Sequence, residues 1–330
     1  MKITKLDYIN IFFAVILVLL IVLSLVARFQ HKEFDKILWN AEIYSSTENS
    51  SPKTQNIIKV LDAFFYNTLN KYPVCLDNDF EKETDGFINA VSKKHIAFEI
   101  REKQLLPDSL NLKYFSVDER KFYSLKTILS YEKIKNLFNN HKKEEPLLSL
   151  EVLPKGKTIL KFNTTENENV KSQIIEVFTA KETTGDLDQL ICEESFGKTY
   201  NDYEGIESIT DFSDLLQNQY IWDIEIKKEE QDLTSLYTYS FGHEKTKFLE
   251  NNELRKLRNI PKEIHIHWKD ENSITYTFDP KEVLKAFRKL NMLGTTDKTI
   301  TFKFKTKNSI QFEISKNGVV IPLKDLYSKL

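Results

Sequence analysis

From Tyr8 to Ala27 the chain reads YINIFFAVILVLLIVLSLVA without a single charge. The run is apolar on every side, which predicts a lipid-facing helix rather than an amphipathic helix on a core. At 1.5 Å per residue, twenty residues give about 30 Å, the thickness of a bilayer's hydrocarbon layer. Residues 8–28 are therefore expected to form a transmembrane anchor behind a short tail, 1–7. Tyr8 would mark one interface, and Arg28 and Lys32 could reach the other. The competing reading is a cleaved signal peptide, whose apolar region spans about 7–15 residues and ends in small residues. This run is longer, and its closing LVA places a large residue where a small one is needed. Lys2 and Lys5 precede the run, and Arg28, Lys32 and Lys36 follow it, so flanking charge sets no clear orientation. The very short tail favours a signal-anchor, with the bulk of the chain outside the cytoplasm.

Beyond the anchor, alternation with a period of two dominates. LPDSLNLKYFSVDERKFYS begins at Leu106, and IPKEIHIHWKDENSITYTF begins at Ile260. The two phrases align so that Leu110, Leu112 and Tyr114 match Ile264, Ile266 and Trp268, each triplet facing one side of a strand. A second short strand follows in each copy, KFYSL and SITYTF, and then a helix. In the later copy Asp279 suits an N-cap, Pro280 the first helical position, and Glu282 a capping box. Val283, Leu284, Phe287 and Leu290 give that helix one apolar face. In the earlier copy Ser130 is the expected cap, with Ile134, Leu137 and Phe138 on the face. Strand pairs close each copy: LLSLEVL turns at PKG into KTILKF. KTITFKFKT leads to SIQFEIS and, through an Asn317-Gly318 turn, to VVIPL. The starts correspond as well, ILWNAEI at Ile37 and YIWDIEI at Tyr220. The same order of elements twice over predicts a duplicated α+β unit of antiparallel sheets, each with a packed helix, at 37–180 and 219–330.

Two further stretches carry expectations. In NIIKVLDAFFYNTL, Ile57, Ile58, Leu61, Phe64, Phe65 and Leu69 form a broad apolar stripe at helical spacing, predicting a helix packed on the first copy. Between the copies, residues 181–218 are strongly acidic, with Lys181 and Lys198 as the only basic residues. They read as a solvated connector, with a short helix from Ile209, Phe212, Leu215 and Leu216 near its end.

Composition narrows the function classes. The 330 residues carry 41% hydrophobic and 29% charged side chains at a net charge of -2. That balance supports a real core but gives no electrostatic case for nucleic acid. Eight glycines make Gly-rich phosphate loops improbable. Cys75 and Cys192 lie too far apart for a CxxC motif, and their pairing stays open. No GxSxG, Walker, GxGxxG or HExxH pattern occurs. The only metal-like spacing is Glu263, His265 and His267 on one strand face, where two histidines at i and i+2 can share a zinc ion. The earlier copy has Asn111 and Lys113 at the histidine positions, so a shared fold does not need the imidazoles. Asp118-Glu119 recurs as Asp270-Glu271, and both pairs fall where acidic residues commonly make turns. His95, His141 and His243 have no partner visible in the sequence.

The Trp-led first strand, the LP..L.L.YFS.DE.KFY segment, the helix after it and the PKGK..L hairpin together resemble the bacterial domain of unknown function 2931. The resemblance covers about Trp39 to Ala180. It is weaker from Trp222 onward, where HWK replaces YFS. Members are usually envelope lipoproteins. This chain has no cysteine after its apolar run, so a helix stands in place of the lipid anchor. The resemblance brings no established catalytic residues to carry over and implies, more faintly, an immunity-like role toward a secreted toxin; the helix anchor in such a protein points to a bacterial inner-membrane location. The expectation is a non-enzymatic module with no cofactor and a protein partner. The alternative is a metal-dependent or hydrolytic enzyme centred on His265 and His267.

Overall fold

The computed structural model describes the chain apart from residues 1–4, 31, 33–34, 48–54, 78–85, 92–93, 142–143, 167–168, 192–201, 226–232, 243, 249–255, 270–272, 294–299, 306–310, 325 and 330. Helix α1 (Lys5–Gln30) contains the apolar run. Its Ile11–Phe29 segment has a mean hydropathy of 3.0, and none of it is buried against the rest of the protein. This helix is long and apolar enough to span a membrane.

The remainder is α+β with mostly antiparallel sheets. Its N-terminal half runs through β1 (Asn40–Ser45), β2 (Ile58–Tyr66), β3 (Pro73–Cys75), β4 (Phe87–Ile88), β5 (His95–Ala97), β6 (Ser109–Ser116) and β7 (Lys121–Ile128). After α2 (Tyr131–Asn140) come β8 (Leu147–Val152), β9 (Lys157–Glu166), β10 (Asn169–Thr179) and β11 (Lys181–Thr183). One sheet has the order β10-β9-β8-β1-β5; the other has β11-β7-β6-β2-β3, with β4 also on β2. Strand β1 is parallel to β8, so β2 to β7 and α2 lie within one crossover, and only β11 joins the second sheet from beyond it. Both sheets and α2 enclose one core that includes Trp39, Ile43, Phe65, Leu112, Tyr114, Ile134, Phe138 and Leu150.

Two short helices follow, α3 (Asp188–Ile191) and α4 (Ile209–Gln217). The C-terminal half then runs β12 (Gln219–Glu225), β13 (Leu233–Ser240), β14 (Lys245–Lys247), β15 (Leu257–Asn259), β16 (Pro261–Trp268) and β17 (Ser273–Phe278). Helix α5 (Pro280–Asn291) leads to β18 (Ile300–Lys305), β19 (Gln311–Lys316), β20 (Val319–Leu323) and β21 (Leu326–Lys329). The sheet orders are β20-β19-β18-β12-β15 and β21-β17-β16-β13-β14. Strand β12 is again parallel to the strand that follows the helix, β18.

The stripe from Ile57 to Leu69 is not a helix. It is β2, paired to β6 with a bulge between Val60 and Asp62. Ile58 and Val60 point inward before the bulge, and Ala63 and Phe65 after it. One extra residue shifts the phase of a strand. The stripe mixes both faces of this strand, Ile57 and Leu61 packing on one core and Ile58 and Phe65 on the other, and together they imitate a helical repeat. Leu69 lies beyond the strand, half exposed.

The acidic stretch is only partly solvated. Lys181–Thr183 extends the sheet beside β7, and Leu190, Tyr203, Ile206, Phe212, Leu215 and Leu216 are buried. They join one core with Ile57, Phe87, Phe115 and Phe122 of the N-terminal half and Trp222, Ile264, Trp268 and Phe287 of the C-terminal half. Helix α4 forms as its apolar spacing predicts, with Ser208 Oγ accepting the Asp211 N–H at 3.0 Å. Its outer side meets Arg288 of α5, whose guanidinium bridges Asp211 (2.6 Å) and Asp214 (2.5 Å). Arg120 in the β6–β7 turn reaches the same Asp214 at 2.6 Å. Burial works against the Asp211 charge, but hydrogen bonds from Arg288 and Ser208 and the guanidinium charge hold its carboxyl below the usual range. A depressed carboxylate adds stability above its unfolded pKa and loses it as pH falls through the folded value. Wild-type urea midpoints should therefore fall more steeply than those of Arg288→Met below about pH 4. Parallel profiles for the two proteins would show that the bridge does not couple to folding.

The helix caps differ. Asp279 caps α5 as expected, its carboxylate accepting the Glu282 N–H at 2.6 Å behind Pro280. Glu282 turns its own carboxylate to the Lys324 N–H at 3.0 Å, tying α5 to the end of β20. Asp279→Ala should cost about 1 kcal/mol, read from urea unfolding. Ser130 precedes α2, but its hydroxyl donates to Glu176 at 3.0 Å and makes no cap bond. Here a side chain from β10, a strand not anticipated, takes the hydroxyl that the helix end could have used.

Candidate functional site

The candidate site is the outward face of β13, β16 and β17. On β16, Ile264, Ile266 and Trp268 are buried, so strand alternation turns Glu263, His265 and His267 to the other side. On β13, Leu236, Thr238 and Ser240 point inward, leaving Tyr237 and Tyr239 on the same outward face. The register places Tyr237 opposite His265 and Tyr239 opposite Glu263. Thr275 of β17 lies on the other side of His265.

These residues form a connected cluster. The rings of Tyr237 and His265 stack with centroids 4.6 Å apart and planes 9° from parallel. Tyr237 also stacks on His267 at 5.6 Å, and Tyr239 meets His265 edge-on at 5.3 Å. Lys245 of β14 holds its ammonium 4.0 Å from the Tyr237 ring centroid, a cation–π contact. Both nitrogens of His265 are engaged: Nε2 lies 2.7 Å from Glu263 Oε1, and Nδ1 lies 2.9 Å from Thr275 Oγ1. With Glu263 ionised and the imidazole neutral, Nε2 carries the proton and donates, and Nδ1 accepts from the Thr275 hydroxyl. His267 Nε2 faces the Tyr237 hydroxyl at 3.4 Å.

The structure thus brings Glu263 and His265 together and gives His267 a different partner. Among the described residues, no group of three or more His, Cys, Asp or Glu side chains could hold a metal ion. The histidines are less exposed than a free strand face implies, the His265 side chain at 19%. Sequence reasoning missed Tyr237, Tyr239, Lys245 and Thr275. The alternation in LTSLYTYS was a usable signal for the tyrosines, but their opposition to the histidines needs the strand register.

Replacing His265 by Asn and His267 by Lys copies the pattern at Asn111 and Lys113. A change on an open surface would stay within about 0.5 kcal/mol. Loss of the Tyr237 stack and of two hydrogen bonds raises the expected cost to about 1–2 kcal/mol. Purified wild-type protein should carry no stoichiometric zinc in native mass spectrometry. One tightly held ion, lost in the double variant, would contradict this assignment.

The other candidates separate. Asp118 Oδ2 accepts the Ile57 N–H at 2.7 Å. Glu119 accepts the Tyr123 hydroxyl and the Lys155 N–H, both at 2.9 Å. The two carboxylates point to different partners and hold the β6–β7 turn. Asp270, Glu271 and His243 lie outside the described residues. His95 stands 3.9 Å from Glu42, and His141 lies 2.9 Å from Glu144. Cys75 is an exposed free thiol, and Cys192 lies outside the described residues. Comparison of the chain with protein-family models, with curated proteins and with solved structures gives no match.

Proposed function

We propose that this chain is a membrane-anchored, non-enzymatic binding module of a bacterial cell envelope, built from two divergent copies of one α+β unit. The copies are 37–180 and 219–330, joined through 181–218, with both halves outside the cytoplasm. The duplication is supported by the strand pairing. Reading β12, β13, β14, β15, β16, β17, β18, β19, β20 and β21 for β1, β2, β3, β5, β6, β7, β8, β9, β10 and β11 converts one pair of sheet orders into the other, with β4 the one strand left over. Buried Trp39 and Trp222 occupy matching places at the start of each unit. The resemblance to the domain of unknown function 2931 belongs to the same proposal, and an immunity-like role is its most specific form.

The observation that carries the binding reading is the Tyr237–His265–His267 stack on a hydrogen-bonded sheet face. Partly exposed aromatic rings with polar tips supply contact area at small entropic cost, and Tyr is enriched at protein interfaces. A photo-crosslinking amino acid at Tyr239 in intact membranes should yield one discrete adduct. The absence of any adduct there would remove the reading. Carbonate extraction should leave the protein in the membrane pellet, and protease added to spheroplasts should digest residues beyond Arg28.

The Thr275–His265–Glu263 hydrogen-bond relay favours a second reading, a hydrolase with Thr275 as nucleophile. Thr275 sits mid-strand, flanked by β16 and β21, where backbone N–H groups serve the ladder and are poorly placed to stabilise an oxyanion. Labelling of Thr275 by a fluorophosphonate probe, lost in His265→Asn, would establish the enzyme instead.

A further inference from the structure

The end of the second N-terminal sheet lies against the exit of α1. Lys32 lines a cavity of about 380 Å³ together with residues that include Asn67, Thr68, Leu69, Asp108 and Tyr131. Lys32 follows the last residue of α1 by two positions, a reach of about 7 Å at most. Helix α1 is about 39 Å long at 1.5 Å per residue, so its end falls at headgroup depth. Whatever touches Lys32 must sit at that depth too.

That end of the sheet is built to present apolar side chains. Tyr66, Ser109 and Ile128 lie side by side across β2, β6 and β7. The β2–β3 turn beyond Tyr66 is held from several directions. Asp108 accepts the Thr68 N–H at 3.0 Å and the Thr68 hydroxyl at 2.6 Å. Asn67 donates to Leu106 O at 2.7 Å and accepts the Leu69 N–H at 3.0 Å. From this fixed turn Leu69 is 51% exposed and Tyr72 72%, and Ile128, at the same end of the sheet but across β2 and β6 on β7, is 77% exposed. Lys71 is exposed between Leu69 and Tyr72. Leu and Ile to enter the acyl boundary, Tyr for the aromatic belt and Lys for the phosphates make the composition of a membrane-interface surface.

We infer that Leu69, Tyr72 and Ile128 form a second, interfacial contact with the bilayer, docking the N-terminal half on lipid headgroups beside α1. This rests on the reading that α1 spans the membrane. It also fixes orientation. The opposite end of the same sheet carries Arg120, which pairs with Asp214, the carboxylate that Arg288 also holds. Eight residues of β6 place that end about 25 Å away, so the C-terminal half and its Tyr237–His265 face stand off the membrane toward a partner.

The test uses the full chain with Cys75→Ser and Cys192→Ser, in liposomes of phosphatidylcholine and phosphatidylglycerol. Single cysteines replace Leu69, Tyr72, Ile128, Leu20 and Met292 in turn and carry an environment-sensitive fluorophore. Nitroxide lipids labelled near the headgroup should quench positions 69, 72 and 128 and leave position 292 bright. Nitroxide deep in the acyl chain should quench position 20. If 69, 72 and 128 stay as bright as 292, or 292 is quenched equally, with position 20 still quenched, the docking surface is wrong and the anchor stands. If position 20 is not quenched, the anchor is wrong and the surface falls with it.

Discussion

Phe212→Ala should destabilise the protein by about 3–5 kcal/mol, the usual cost of deleting a fully buried phenylalanine. Phe212 is 0% exposed and sits where the two halves meet. Its ring lies 6.2 Å from Phe87, 6.2 Å from Phe115 and 5.0 Å from Tyr203. Two of those neighbours come from the N-terminal half and one from the acidic stretch. The cavity left by alanine has walls from a hydrogen-bonded sheet and from the acidic stretch, which cannot all relax into it. The loss should also show as uncoupling. Wild-type urea unfolding is expected to be a single transition by fluorescence and circular dichroism alike. The variant should split into two, because its halves no longer share a full core. A single transition with an unchanged midpoint would mean that the halves do not depend on this contact.

Phe287→Ala is expected to cost a similar amount, again about 3–5 kcal/mol, but in a different pattern. Phe287 is 0% exposed on α5, with its ring 5.1 Å from Tyr220 and 6.2 Å from Trp222. These contacts lie within the C-terminal half, between its helix and β12. Only that half should unfold earlier, and the fluorescence of Trp222 and Trp268 should report it. Trp39, in the separate N-terminal core, should hold its wild-type signal to higher urea. If Phe287→Ala lowers both signals together, the core shared around Phe212 outlasts this loss and the two halves unfold as one unit.

The residue pattern by itself determined the local features. An uncharged run of bilayer length needs no tertiary information. Neither do the alternating triplets ending at Tyr114 and Trp268, the Asp279-Pro280 helix start, or the Asn317-Gly318 turn, where both residues take positive φ (53° and 82°). Each depends on neighbours a few positions away. Tertiary structure alone decided what non-local pairing controls. That β2 buries both of its faces became visible only once it lay on β6 between two cores, and until then its spacing imitated a helix. Ser130 lost its capping role to Glu176, a residue from a strand far along the chain. The acidic stretch contributes Phe212 and Leu216 to a core because buried residues of both halves meet there, and its net charge carries no trace of that meeting. The candidate site divides in the same way. Glu263, His265 and His267 share a face by strand periodicity alone, whereas Tyr237, Lys245 and Thr275 reach them only through the register of three neighbouring strands, which is set by contacts summed across the whole sheet.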